Sequence, residues 1–372
     1  MKPTIEKRLA VLLTVLISVN LGVLEGQILK DSTSMNILKR CVNDIYNFEF
    51  ESARNEADKL SISFPGHPVN QFLNGMILYW QNYPLEPGSQ AQKDYEKYMT
   101  DCIRICEERK ISDDYPEILL SNLGARGMLL QFYADNNLSD KVLPIAKTTY
   151  RLIRQSFDYT SFYDDFYFFT GLYNYYREAY PEARPVYRVV ALFFPRGDKA
   201  KGLIEMRKAA RTSIMLKAES ATFLSHIYIH FEGNFQMAYA YTRYLNNMYP
   251  ENPQYLASNI KNLLLLKKYD EAENLIRSST AKEKNLFYAA PSDIFKAIIQ
   301  EKKYRDPARA KQFYNQGLNE ISMFGFYGNE YAAYANFGLS RLAELEGDKA
   351  SKKIYRKKAL DLTSYKKVNF DD

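Results

Sequence analysis

Histidine and cysteine each occur three times in this chain of 372 residues, and tryptophan once. So few cysteines exclude a disulfide framework as the source of stability. Cys102 and Cys106 stand one helical turn apart, a spacing that an intact helix holds poorly for a bridge, so the thiols read as buried side chains. Glycine, at 16, is too scarce for a fold assembled from many tight turns. Beyond residue 26 no apolar run is long enough to span a bilayer. Basic and acidic residues number 50 and 44 and are interspersed, which leaves no concentrated basic face for nucleic acid. The one local excess, Lys352, Lys353, Arg356, Lys357 and Lys358 with Lys366 and Lys367 beyond, reads as the solvated face of a terminal helix.

The catalytic inventory is equally thin. There is no Gly-x-Ser-x-Gly elbow, no phosphate-cradling glycine loop, no paired Cys-x-x-Cys and no kinase-like set. His226 and His230 lie one turn apart, a spacing that presents two imidazoles to a metal. Ile227, however, stands where a metalloprotease helix carries its glutamate, and two ligands are too few for zinc. His67 falls in a Pro-Gly-His-Pro turn and reads as structural or solvent-facing. Asp164 and Asp165 read as acids at a helix start, favoured by the helix dipole. The expectation is no catalytic residue, no metal and no cofactor.

What the chain does have is a distinct leader and an abundance of aromatic rings. Lys2, Lys7 and Arg8 precede an apolar run from Leu9 to Leu24, broken by Thr14, Ser18, Asn20 and Gly22. That pattern reads as a secretory signal, with cleavage expected between Gly26 and Gln27, in preference to an uncleaved membrane anchor. Tyrosine and phenylalanine number 31 and 22. Such rings suit helix-on-helix packing, filling the space between axes while the hydroxyls reach the wet edge. They crowd most densely between Phe157 and Phe194. There Tyr159, Phe162, Tyr163, Phe166, Tyr167, Phe168, Phe169, Tyr173, Tyr175 and Tyr176 cannot share one helix stripe, so core packing and a recognition patch both remain open.

No sustained period-2 alternation appears, and the chain reads as one helix after another with short connections. Pro65-Gly66-His67-Pro68 and Pro250-Glu251-Asn252-Pro253 each stop one helix and start the next. Helices so joined pack as antiparallel neighbours, and a long series of such pairs is an α-solenoid. Phe235 and Tyr269 are 34 residues apart, as are Ala238 and Ala272. Phe50, Ala53 and Pro65 keep the mutual offsets of Phe235, Ala238 and Pro250. Leu224-Ser225 followed by Tyr228, and Leu339-Ser340 followed by Gly347 and Ala359, repeat a large–small pairing that lets helix axes approach closely.

At these residues the chain resembles the tetratricopeptide repeat family, and more loosely its exported bacterial members. The likeness is clear over 218–277, fair over 35–68 and 336–360, and weak over 90–213. It implies an all-α, right-handed solenoid organised as a signal at 1–26, a linker at 27–34, divergent hairpins at 35–213 and more regular repeats at 214–372. It also implies a non-catalytic scaffold for another protein or peptide, exported to the periplasm or cell envelope. First helices of such repeats line a concave groove, which places Thr222, His226, Ile229 and His230 on the groove with Ala257, Lys261 and Leu264 of the next repeat. Two rival expectations are a structural subunit of an envelope or secretion assembly and an enzyme with its cleft in the aromatic middle.

Overall fold

The computed structural model describes residues 27–109, 114–279, 285–363 and 368–371. The expected signal at 1–26, and Lys366 and Lys367, lie outside them. Among the described residues the chain is helical throughout and has no strand. In chain order the α-helices are α1 Ser32–Tyr46, α2 Phe50–Ser63, α3 Pro68–Gln81, α4 Gln90–Glu108, α5 Tyr115–Asp135 and α6 Ser139–Ser156. Then come α7 Phe166–Ala183, the single turn α8 Tyr187–Ala191, α9 Lys199–Thr212, α10 Lys217–His230, α11 Phe235–Met248 and α12 Pro253–Leu265. The last are α13 Tyr269–Ser278, α14 Ala289–Ile299, α15 Pro307–Ile321, α16 Asn329–Leu345 and α17 Lys349–Leu362.

Local chemistry sets many of the starts. The side chains of Asp31, Ser89, Asp198, Asn234, Asn252, Asp306 and Asp348 each accept an N–H from the first turn of the helix that follows. Pro68, Pro253 and Pro307 occupy first positions, where a missing N–H costs nothing. His67 is buried and caps α3, its Nδ1 accepting the N–H of Val69 at 3.2 Å.

Consecutive helices pair as α1/α2, α3/α4, α5/α6, α7/α9, α10/α11, α12/α13, α14/α15 and α16/α17, and each pair packs on the next, the outline of an α-solenoid. Close approach comes from a small residue at the fourth position of the second helix. Ala53, Gly202, Ala238, Ala272 and Ala310 all hold that place and are all buried. The aromatic middle is one of these pairs. A Cβ on Gly202 of α9 would stand 2.8 Å from the carbonyl oxygen of Gly171 on α7, so the two backbones touch. Phe166, Phe168, Phe169 and Tyr175 are buried there, Tyr163, Tyr167 and Tyr176 are partly so, and Phe162 is exposed. Helix α7 runs on to Ala183, carrying Pro181 near its end.

Buried acids fasten the connections. Asp165 accepts the N–H groups of Ile214, Met215 and Leu216 at 2.8, 2.7 and 3.0 Å, fixing the α9–α10 link. Its role is therefore to bind a distant backbone segment, beyond any effect on the start of α7. Glu117 accepts the N–H groups of Ile28 and Leu29, each at 2.9 Å, and draws the beginning of the described chain onto α5. Cys41, Cys102 and Cys106 are free and buried, each thiol facing a carbonyl oxygen of a neighbouring helix.

The winding is tight enough that early and late hairpins meet. Tyr249 donates to Asn43 at 3.2 Å, the Glu251 N–H to Asn47 at 3.2 Å and Asn136 to the Tyr327 hydroxyl at 2.9 Å. Tyr46, Trp80, Tyr249 and Tyr255 pack ring against ring between these turns.

Candidate functional site

The inward side of α10 carries Glu219, Thr222, His226 and His230 at helical spacing. Thr222 is exposed, His226 half-buried and His230 buried. Lys261 reaches the same place from α12 and Glu330 from the start of α16. Lys261 Nζ lies 3.1 Å from Glu330 Oε1, and His230 Nε2 lies 3.5 Å from the same oxygen. The Tyr334 hydroxyl donates to it as well. The His226 and His230 rings are 4.5 Å apart, and the Tyr176 hydroxyl is 3.3 Å from His226 Nδ1. Helices from four hairpins thus meet on one acid–base cluster.

Burial lowers His226 to about 4, and burial together with His226 lowers His230 well below the ordinary value, so both imidazoles are neutral at pH 7. Burial works to raise the Glu330 carboxyl, but Lys261, with the Tyr334 hydroxyl, holds it at about 2. The Glu330 side chain nevertheless keeps 37% of its surface exposed, so water reaches an acid that is crowded by protein. Asp135 has the same character. It is exposed, yet surrounding protein pushes its carboxyl up to about 6. Tyr83, half-buried, feels both Asp135 and Glu330. Glu219 accepts from the Tyr46 hydroxyl, and burial raises it to about 8.

Of the seven residues expected on a groove, the four polar ones, Thr222, His226, His230 and Lys261, come together here. Ile229, Ala257 and Leu264 are buried in the protein's own core. Leu264 sits under the carboxy-terminal tail, lining a small cavity with Ile298 and Phe370. Glu330, Tyr334, Asp135 and Tyr83 were not legible as partners. An acid in the first turn of α16 reads as dipole complement, and only the winding brings it to Lys261. Among the described residues no group of three or more His, Cys, Asp or Glu side chains converges as a metal site requires, and no helix is long and apolar enough to cross a membrane.

In comparisons with known proteins, no protein-family model and no curated protein matches the chain.

Proposed function

We propose that this chain is a non-catalytic binding scaffold of tetratricopeptide type, a right-handed solenoid exported to the cell envelope. In this reading the recess between α10, α12 and α16 holds an extended segment of another protein. The observation that carries it is the water-reachable cluster of Thr222, His226 and Glu330, a polar lining where α10 and α16 meet. Acids at Asp135 and Glu330 and the ring of Tyr83 favour a segment with basic or amide-rich side chains. The repeat spacing supports the family, and the basic start and apolar run within residues 1–26 support the export.

The test is photo-crosslinking in the native cell from a probe residue at position 222, with a control probe at Lys59, which is exposed on α2. A defined protein adduct from position 222, and none from position 59, is expected. Equal labelling from both positions, or turnover of a small substrate by the purified protein, would overturn the reading.

A further inference from the structure

Most hairpins here turn in a few residues, as at 47–49, 136–138, 266–268 and 346–348. Between α7 and α9 the connection is fifteen residues, 184–198, around the single turn α8. Four of its apolar side chains do not fold inward. Val186, Val189, Leu192 and Phe193 are 76%, 66%, 81% and 82% exposed, in contrast to the buried Ala191 between them. Four large apolar side chains standing together in water mark a contact surface rather than ordinary surface scatter.

The loop that presents them is anchored. Arg177 donates from Nε and Nη2 to the Phe194 carbonyl at 3.2 and 3.1 Å, and the Tyr173 hydroxyl donates to the Pro195 carbonyl at 2.6 Å. The Phe194 ring packs edge-on against Tyr150 at 4.8 Å, and the Gly197 N–H donates to Glu178 at 2.8 Å. The crown is thus held outward from a fixed base.

Charge selects the occupant. From 184 to 198 the chain carries Arg184, Arg188 and Arg196 against one acid, Asp198, which caps α9, and Arg188 and Arg196 are exposed beside the crown. Apolar tips flanked by arginines are complementary to a leaflet whose headgroups are anionic and whose interior is apolar. We propose that the 184–198 loop is a membrane-surface anchor. Val186, Val189, Leu192 and Phe193 enter the interface of an anionic bilayer, and the arginines meet lipid phosphates. None of the loop's residues belongs to the recess cluster, which its hairpin reaches only through Tyr176 of α7.

A local reporter tests it in the full chain. Phe193→Trp in a Trp80→Phe background gives fluorescence from the loop alone, read against phosphatidylcholine vesicles and against mixed phosphatidylcholine–phosphatidylglycerol vesicles containing brominated chains. A blue shift and bromine quenching are expected with the anionic vesicles and little change with the neutral ones. Val189→Ser with Leu192→Ser should weaken binding by about tenfold or more. Arg188→Glu with Arg196→Glu should weaken it similarly and flatten its salt dependence. Circular dichroism should match wild type, since these side chains are exposed. A reporter unmoved by anionic vesicles would overturn the proposal. So would a blue shift that grows with protein concentration alone and accompanies a dimer in sedimentation, which would make a second copy the occupant.

Discussion

Asn252 Nδ2 donates to the carbonyl oxygen of Tyr46 at 2.9 Å, across 206 residues of sequence. The same side chain caps α12, its Oδ1 accepting the N–H groups of Gln254 and Tyr255 at 2.9 and 3.3 Å. One fully buried amide therefore starts a helix of the sixth hairpin and holds the end of α1. The turn chemistry of Pro250-Glu251-Asn252-Pro253 is also the clasp of the winding.

Replacing Asn252 by Ala removes the cap, worth about 1 kcal/mol, and strands a buried carbonyl at a further cost of about 1–3 kcal/mol. A urea titration should show a loss of about 2–4 kcal/mol. Asn252→Asp keeps the capping acceptor but sets an anion against the Tyr46 carbonyl, so it should be no better than Ala. If Asp matched wild type, the clasp would be dispensable and only the cap would matter.

Two glycines on first helices should respond in opposite directions to Ala. A Cβ at Gly338 would stand 2.1 Å from Tyr314 Cζ. That ring cannot move aside, because it is buried with its hydroxyl 2.7 Å from Glu301, which in turn grips Arg341 at 2.6 and 2.9 Å. Gly338→Ala should cost about 1–3 kcal/mol through overpacking. A Cβ at Gly127 meets nothing within 4 Å, and Gly127→Ala should gain about 0.5–1 kcal/mol from reduced chain entropy. Paired thermal melts decide both.

The contrast shows what a sequence can disclose about this fold. Small residues at Ala53, Ala238 and Ala272 recur at a readable spacing because each sits at the same contact of a repeated hairpin. Gly202 holds the equivalent place on α9, but the fifteen-residue loop before it disrupts the 34-residue register and hid the pair. The recess was half legible for a related reason. His226 and His230 share a helix, whereas Glu330 reaches them only because successive hairpins wind back on themselves, and no local pattern records that.

Burial pushes the Cys41 thiol upward, and the neighbouring Cys106, together with burial, does the same to Cys102. A thiolate-specific reagent should therefore leave native protein unlabelled and react with three thiols once urea unfolds it. Rapid native labelling would mean that α1 or α4 opens far more readily than its packing implies.

Stability should peak at about pH 6. Burial raises Glu117 to about 7 and Glu219 to about 8. Each therefore holds its proton more firmly folded than unfolded, and the stability it adds is complete below its unfolded value and lost as pH rises through 7 to 8. Burial lowers His67 and His226 to about 4. Their contribution is present above the unfolded value of 6.5 and lost as pH falls toward 4. Urea midpoints measured across this range should fall on both sides. Glu219→Gln should flatten the alkaline limb, and His67→Asn, which retains a capping acceptor, should flatten the acid limb. A midpoint climbing steadily to high pH would contradict the assignment.

The Lys261–Glu330 pair should prove unequal when its members are removed singly. Lys261 keeps only 10% of its side-chain surface and Glu330 keeps 37%. In Glu330→Gln the ammonium loses its counter-charge where water scarcely reaches it, and a cost of about 2–4 kcal/mol is expected. In Lys261→Met the carboxylate remains partly hydrated, which discounts the penalty to about 1–2 kcal/mol. The double variant leaves no stranded charge and should be more stable than Glu330→Gln alone. His226 provides a second reading, because Glu330 raises its pKa and Lys261 lowers it. Nuclear magnetic resonance titration should move its imidazole downward in Glu330→Gln and upward in Lys261→Met. The double variant also separates architecture from binding. If the pair only holds the winding, that stable variant will still crosslink its partner from position 222. If the recess receives a basic segment, the adduct will be lost although the fold persists.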